Sequence, residues 1–387
     1  VTPTSDQTTR SHAAALDRDD PLAHFRDRFV IPDQRIAYLD GNSLGRTPKS
    51  TLERVNRVMH AEWATDLIAS WDHWVHLPGQ IGDQLAPLIG AHAGEVAVHD
   101  STTVNIYQAV HAALALRPDR RVIAVDAGDF PTDRYVVDGI AARTGHEVRH
   151  GFDRLDDVAV VLRSLVDYRT AEVADLHAET ARADAAGAIT VWDLSHAAGV
   201  LAVDLSGAGV QLAVGCTYKF LNGGPGAPAF SYVRADLLPT LPQPIWGWWA
   251  QADMFAMGPE FHPQPDIRRV LLGTASVLSL VAAQEGIALS AEAGIDAIQA
   301  KAHSITAYGI ELCDHFGLTT STPRDAVRRG GHVAVHHPDA RQLVRRMATE
   351  GIVTDFREPD IVRVGCSPLT TRYTDVYDCM ARLAQIG

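Results

Sequence analysis

The sequence predicts an α/β protein, with a large domain built on a mostly parallel sheet and a smaller α+β domain at the C-terminal end. Two observations predict it. Between about residues 90 and 235, short β-branched apolar runs alternate with longer segments whose apolar residues recur at helical spacing. That is the rhythm of strands covered by helices on both faces. After the Pro- and Trp-rich stretch LPQPIWGWWAQADMFAMGPEFHPQP (241–265), the rhythm changes to a long helix and then strand, helix, strand, helix.

The strand candidates of the first region are RVIAVDA (121–127), VAVVLRS (158–164), AITVWDL (188–194), LAVGCTY (212–218) and PAFSYVR (228–234). Between them, TVNIYQAVHAALAL (103–116), TDRYVVDGIAARTG (132–145) and AEVADLHAETARADAAG (171–187) read as helices ending at or near Gly or Pro. In the second region the elements are HVAVHH (332–337), DARQLVRRMATEG (339–351), IVRVGCSPL (361–369) and TDVYDCMARLAQI (374–386). This gives an N-terminal arm over 1–55 that contributes partly to the small domain, a large domain over 56–285 and a small domain over 286–387. Residues 1 to about 18 are polar and read as a poorly ordered leader.

Composition narrows the function classes. A chain of 387 residues with 46% hydrophobic and 21% charged residues can bury one large core with a smaller lobe. A formal charge of −13 gives no basic footprint for nucleic acid or anionic lipid. No apolar run is long enough to span a bilayer, and the polar start does not resemble a signal peptide. Cys216, Cys313, Cys366 and Cys379 form no CxxC pair, which argues against structural zinc and a disulfide framework, and a reducing cytoplasm fits best. His73 and His76, or His332, His336 and His337, carry no recognised metal-ligand pattern, so no metal is expected.

The chemistry concentrates in ITVWDLSHAAGVLAVDLSGAGVQLAVGCTYKFLNGGPG (189–226). Asp193 ends one strand and Lys219 closely follows the next, so both side chains can meet where ligands bind in open α/β sheets, at the carboxyl ends of strands. Pyridoxal-5′-phosphate (PLP) chemistry needs that pair: a lysine amine for the Schiff base, and a carboxylate beside the pyridine nitrogen to keep the ring protonated. Taken singly, each is equally an ordinary strand-end Asp or loop Lys. Ser101, Thr102 and Thr103 open a helix in HDSTTVNIYQAV (99–110), where free N–H groups can hold a phosphate, although such a triplet also serves as a plain N-cap. Tyr218 and Trp248 are further phosphate candidates. NGGPG after Lys219 is not a dinucleotide fingerprint.

YLDGNSLGRTP (38–48), STTVN (101–105), DFPTDRY (129–135), WDLSHAAG (192–199), CTYKFLNGGPG (216–226), GWW (247–249) and LLGT (271–274) together resemble the kynureninase family, in its motif order, from about residue 22 to the C-terminus. The resemblance implies the PLP-dependent transferase fold of type I, PLP as cofactor and a homodimer with a small amino-acid substrate. It implies Lys219 as the Schiff-base lysine, Asp193 at the pyridinium nitrogen and His196 close to the cofactor. Thr102, Thr103, Tyr218 and Trp248 match phosphate contacts, Phe130 the ring-stacking aromatic, and Asp133, Ser164 and Thr274 further cofactor contacts. Arg363 matches the arginine for the substrate α-carboxylate, where a planar bidentate donor suits the task; without the match it would read as a strand arginine facing solvent. Asn42 and Ser43 of GNSLG fall on the substrate side.

At the aryl end, Trp63 matches a position where bacterial-type members carry Trp and animal members His, and Gly273-Thr274 resembles the bacterial Gly-Thr pair. Both favour kynurenine over 3-hydroxykynurenine, though Trp63 alone equally suits a core aromatic. The chain departs from the family at Ala275-Ser276, where prolines are usual, and at LVDYRTA (165–171), where Asp167 replaces Asn or His. A ring-substituted kynurenine is therefore a further candidate substrate. The implied reaction is hydrolytic Cβ–Cγ cleavage to anthranilate and L-alanine, with Lys219 moving protons at Cα and Tyr218 relaying one to Cβ. The rival readings are a cysteine desulfurase or class V aminotransferase of the same fold, and a non-catalytic scaffold that kept it.

Overall fold

The computed structural model describes residues 8–386. Helix α1 (Arg10–Asp19), the short strand β1 (Ala37–Tyr38) and helices α2 (Lys49–Arg57), α3 (Trp71–Trp74) and α4 (Leu77–Leu85) precede the main sheet. The sheet and its covering helices follow as β2 (Val96–His99), α5 (Thr102–Leu116), β3 (Val122–Val125), α6 (Pro131–Thr144), β4 (Glu147–His150), β5 (Val158–Ser164), α7 (Leu176–Ala185), β6 (Ile189–Asp193), β7 (Leu212–Cys216) and β8 (Ala229–Val233). Seven strands pair in the order β2-β8-β7-β6-β5-β3-β4. Every pair from β7 to β4 is parallel, and β8 runs antiparallel to both its neighbours. The expected mostly parallel sheet is thus present.

The five strands read from sequence are buried on both faces, which is why they appear as unbroken apolar runs. The edge strand β4, EVRH, is half exposed and charged, as an edge that must not recruit another strand tends to be. Helix α7 begins at Leu176, later than its apolar spacing indicates, because Asp175 caps it by accepting the Ala178 N–H at 2.9 Å.

The long helix expected after the Pro- and Trp-rich stretch is two helices, the first of which packs into the large domain's core through Leu280, Val281 and Ile287. Gly294, at φ +80°, ends α8 (Val277–Ala293) and starts α9 (Ile295–Phe316). A four-stranded antiparallel sheet follows, in the order β12 (Asp355–Arg357), β13 (Ile361–Gly365), β10 (His332–His336) and β9 (Thr319–Thr320), packed with α10 (Ala340–Thr349) and α11 (Tyr373–Ile386). Strand β11 (Ile352–Val353) pairs in parallel with β1.

The expected disordered leader is corrected over residues 10–18, which form most of α1; residues 1–7 lie outside the described residues. The helix is held from the far end of the chain. Ala13 is buried in the C-terminal lobe's core, Arg10 pairs with Asp378, and the Asp17 carboxylate accepts the Tyr373 and Thr374 N–H groups at 2.6 and 3.2 Å, capping α11. Asp20 pairs with the buried Lys301 at 2.5 Å.

Candidate active site

The carboxyl ends of β5, β6 and β7 open into a cleft of about 770 Å³, counting its mouth, within the ~300–1,000 Å³ typical of cofactor sites. Ten residues singled out from sequence line it: Ser101, Thr102, Thr103, Phe130, Asp133, Ser164, Asp193, His196, Tyr218 and Lys219. Parallel pairing explains the convergence. Ser164 and Asp193 are register partners at the last positions of β5 and β6, and Lys219 lies three residues beyond β7.

Lys219 Nζ stands 3.0 Å from His196 Nε2. Burial, followed by the charges of Lys219 and Arg363, pushes His196 well below the usual histidine pKa, so the imidazole is neutral. Ser195 donates both its N–H (2.9 Å) and its hydroxyl (2.6 Å) to Asp193 Oδ1, which leaves Oδ2 for the cleft. Burial raises Asp193 above the carboxylate range, and burial followed by Asp193 and Asp129 raises Asp133 well above it. Asp129, behind them, is pushed up to about 7 by burial, and its Oδ2 is unpartnered. The site is therefore short of positive charge.

In the same lining, Ser101 caps α5 by accepting the Val104 N–H at 3.4 Å, and the N–H groups of Thr102 and Thr103 have no helical carbonyl ahead of them. Phe130 and Tyr168 meet edge to face at 5.2 Å. The GNSLG segment closes one side. Gly45 donates its N–H to the Tyr218 carbonyl at 2.8 Å, and a Cβ there would lie 2.4 Å from the Lys219 carbonyl oxygen, so only glycine lets this loop lie against the lysine loop.

Arg363 does not line the cleft; it is 1% exposed and stands behind Tyr168, whose carbonyl accepts from its Nη1 at 2.7 Å. Asp355 and Ser43 also bind it, and Asn42 does so with its amide oxygen turned toward the guanidinium. Gly273 and Thr274 line an adjoining cavity that shares Asp100, Ser101 and Gly226 with the main one. Trp248 and Trp63 are not in the cleft of this chain. Trp248 packs at 5.7 Å against Trp71 in an aromatic cluster, and Trp63 is 58% exposed on a π-helical segment, Val58–Asp66. That segment is tied down by Glu62, which accepts from Arg54, from Trp74 Nε1 at 2.7 Å and from His73 at 3.0 Å.

Sequence reasoning missed Ser195, Tyr168, Asp129 and Asp355 as parts of the site. For Asp355 a signal was available, since alternation places it directly across a two-stranded ladder from Arg363.

Residues 298–383 match the kynureninase C-terminal domain family. The chain is 39% identical to a kynureninase of Pseudomonas fluorescens, over 98% of its own length and 95% of that protein's. It is 44% identical to a kynureninase of Deinococcus radiodurans, over 96% and 95%. Among solved structures it is similar to a cysteine desulfurase of Thermococcus onnurineus NA1 in its apo form (TM-score 0.80, 16% identity, 96% of this chain and 97% of that one). It is also similar to a C-DES mutant with glycine covalently linked to its PLP cofactor (TM-score 0.78, 17% identity, 92% and 100%). At such identities the structural likeness shows the fold, that of the type I PLP-dependent enzymes, and at 39–44% identity over nearly the whole chain the sequence relatives show that the protein belongs to the kynureninase family.

Proposed function

We propose that this chain is a PLP-dependent kynureninase that hydrolyses the Cβ–Cγ bond of L-kynurenine, or of a ring-substituted kynurenine, to an anthranilate and L-alanine. The observation that carries the reading is the meeting of Lys219 and Asp193 in one cleft that the N-terminus of α5 also lines. The residues fit PLP. The first N–H groups of α5, with the Thr102 and Thr103 hydroxyls, suit a phosphate dianion. Asp193 Oδ2 suits a protonated ring nitrogen, whose charge would relieve a site crowded with buried carboxyls. Phe130 and His196 line the walls between these ends, with Asp133 and Ser164 beside them.

When bound, PLP supplies the electron sink that makes the substrate Cα–H acidic and lets the Cβ–Cγ bond break. Lys219 Nζ moves the proton at Cα, beside an imidazole that stays neutral and does not compete as a cation. Tyr218 keeps its proton, because the adjacent Cys216 group and then burial raise its phenol pKa, so it can donate to the phosphate or to Cβ. Arg363, with Asn42 and Ser43, anchors the α-carboxylate. Across the net reaction, the aryl carbonyl carbon takes the hydroxyl of water and leaves as the carboxyl of anthranilate. Cβ takes the proton and becomes the methyl of alanine.

Trp63, Trp248 and the Gly273-Thr274 loop act across a homodimer interface, reaching the partner's cleft, Trp248 and Thr274 toward the cofactor and Trp63 and Gly273 toward the aryl ring. Exposed aromatics at Trp63, Trp246, Trp248 and Phe255 support this. The setting is cytoplasmic; no helix among the described residues is long and apolar enough to cross a membrane. A desulfurase needs an ionisable nucleophilic cysteine, whereas all four cysteines are buried and burial pushes up Cys216, Cys313, Cys366 and Cys379 alike. The test is a panel of kynurenines, with anthranilate release followed by fluorescence and cysteine as the rival substrate. Anthranilate release in PLP-loaded enzyme is expected, and sulfide release from cysteine without it would refute the reading.

A further inference from the structure

Arg363 is already bound to a carboxylate that belongs to the protein. Asp355 lies on β12 as the direct register partner of Arg363 on β13, so their side chains emerge on the same face. Arg363 Nε donates to Asp355 Oδ1 at 2.7 Å, and Nη2 donates to Oδ2, a bidentate pairing along the Nε–Nη2 edge. The other end of the guanidinium is held differently. Nη2 donates to the Ser43 hydroxyl at 3.0 Å, and Nη1 donates to the Tyr168 carbonyl at 2.7 Å. Tyr168 lines the cofactor cleft, so the Nη1–Nη2 end faces that side.

We propose that Asp355 is a positioning residue for the substrate: it occupies the Nε–Nη2 edge of Arg363 so that the Nη1–Nη2 end is the one offered to the α-carboxylate. The Tyr168 carbonyl and the Ser43 hydroxyl then act as neutral latches that the carboxylate replaces. The proposal rests on the reading of Arg363 as the carboxylate anchor and adds the group that orients it.

Three observations support a positioning role rather than a competing one. Asp355 is shared, since Arg357 also pairs with its Oδ2 at 2.8 Å, and Ser43 donates its hydroxyl to the same oxygen at 2.7 Å. Burial works to raise Asp355, but the hydrogen bond and charge of Arg363, then Arg357, outweigh it and hold the carboxyl below its usual range. Asp40, whose carboxyl is pushed up to about 6 by burial and then by Asp355, has an unpartnered Oδ1 and can take up a proton when another anion arrives. The cluster of Arg357, Arg363, Asp355 and Asp40 therefore accommodates one more carboxylate. In a side chain with 1% exposure and no room to swing, fixing one edge of a planar fork fixes the direction of the other.

The experiment measures KM and kcat for kynurenine on the holoenzyme, together with Ki for its decarboxylated amine, in Asp355→Asn, Asp355→Glu and Arg363→Lys. Asp355→Asn leaves one guanidinium N–H facing an amide N–H. It should raise KM by roughly 30-fold, the scale of one charge-assisted hydrogen bond, with kcat changed less than about threefold and Ki of the carboxylate-free amine unchanged. Asp355→Glu should recover most of the loss. An unchanged or lowered KM in Asp355→Asn would overturn the proposal, the lowered value because it would mark Asp355 as a competitor of substrate. An equal weakening of the amine would also overturn it, because that marks a general structural role. If Asp355→Asn does not retain PLP, Asp355→Ser, which removes the charge but keeps a small acceptor, decides in its place: it must keep the amine's Ki while raising KM. Arg363→Lys is the control on the underlying reading, and if it spares KM, the anchor itself is misassigned.

Discussion

The floor of the cleft and the aromatic segments proposed to complete it from a second copy are built in opposite ways. On the floor, Asp193, Ser164, His196 and Lys219 sit at or just beyond the ends of β5, β6 and β7, and neighbouring strands fix their spacing to within a register position. In that proposed rim, Trp63 and Trp248 stand on short π and 3₁₀ segments and Gly273-Thr274 on a loop, with Trp63 58% and Trp248 36% exposed. A chain that leaves large aromatics uncovered outside a cleft with an assembled set of polar groups fits the proposal that a second copy supplies the enclosure.

If the floor is self-sufficient for chemistry, damage there should be the most severe. Lys219→Ala should lose the visible absorbance of bound PLP and all measurable turnover, and a lysine-free variant that still releases anthranilate would end the assignment. Asp193→Ala should bind PLP more weakly and slow turnover by roughly 10²-fold or more, the scale for removing one preorganised electrostatic partner. The proton on the ring would no longer be held. Cofactor titration and kcat on the loaded enzyme separate the two effects, and near-normal values of both would mean that the floor is misread.

A rim completed by a second copy makes a different prediction. Lys219→Ala and Trp248→Ala should each be weak or inactive alone. Mixed under conditions that exchange subunits, random pairing makes half the dimers hybrids, each with one intact site, and about a quarter of normal activity should return. If Trp248 served its own chain's cleft, no intact site could form and mixing would restore nothing. Sedimentation showing a fully active monomer would exclude the arrangement altogether.

The same contrast explains what could be read from sequence. Strands β3, β5, β6, β7 and β8 were legible because burial on both faces leaves unbroken β-branched runs, and Asp193 and Lys219 stood out because strand ends in such a sheet converge. Strand β4 was not legible, since an edge strand reading EVRH has no apolar signature. Helix α1 was misjudged because its partners, Asp378, Tyr373 and Thr374, lie at the other end of the chain, and local polarity says nothing of a distant cap. Asp355 was overlooked because its importance comes from a cross-strand register with Arg363 rather than from a motif of its own.

The smallest expected effect concerns the residues proposed to face the aryl ring. On that proposal Trp63 and Gly273-Thr274 would offer stacking area and one hydroxyl, which would suit kynurenine better than its 3-hydroxy derivative. Replacing Trp63 with His, Gly273 with Ser and Thr274 with Asn removes stacking area and adds polar partners for the 3-hydroxyl. A pocket that gains a hydrogen bond to a substrate hydroxyl changes preference more than one that gains or loses a methylene, so the kcat/KM ratio should shift toward 3-hydroxykynurenine by at least roughly tenfold. Ala275 and Ser276 bear on the outcome. They line the same cavity as Thr274, and Ser276 Oγ sits 3.2 Å from Ser279 Oγ in the first turn of α8. If the triple variant keeps the parent preference within about twofold, the rim does not read the ring through these residues. Restoring proline at 275 and 276 then becomes the decisive variant.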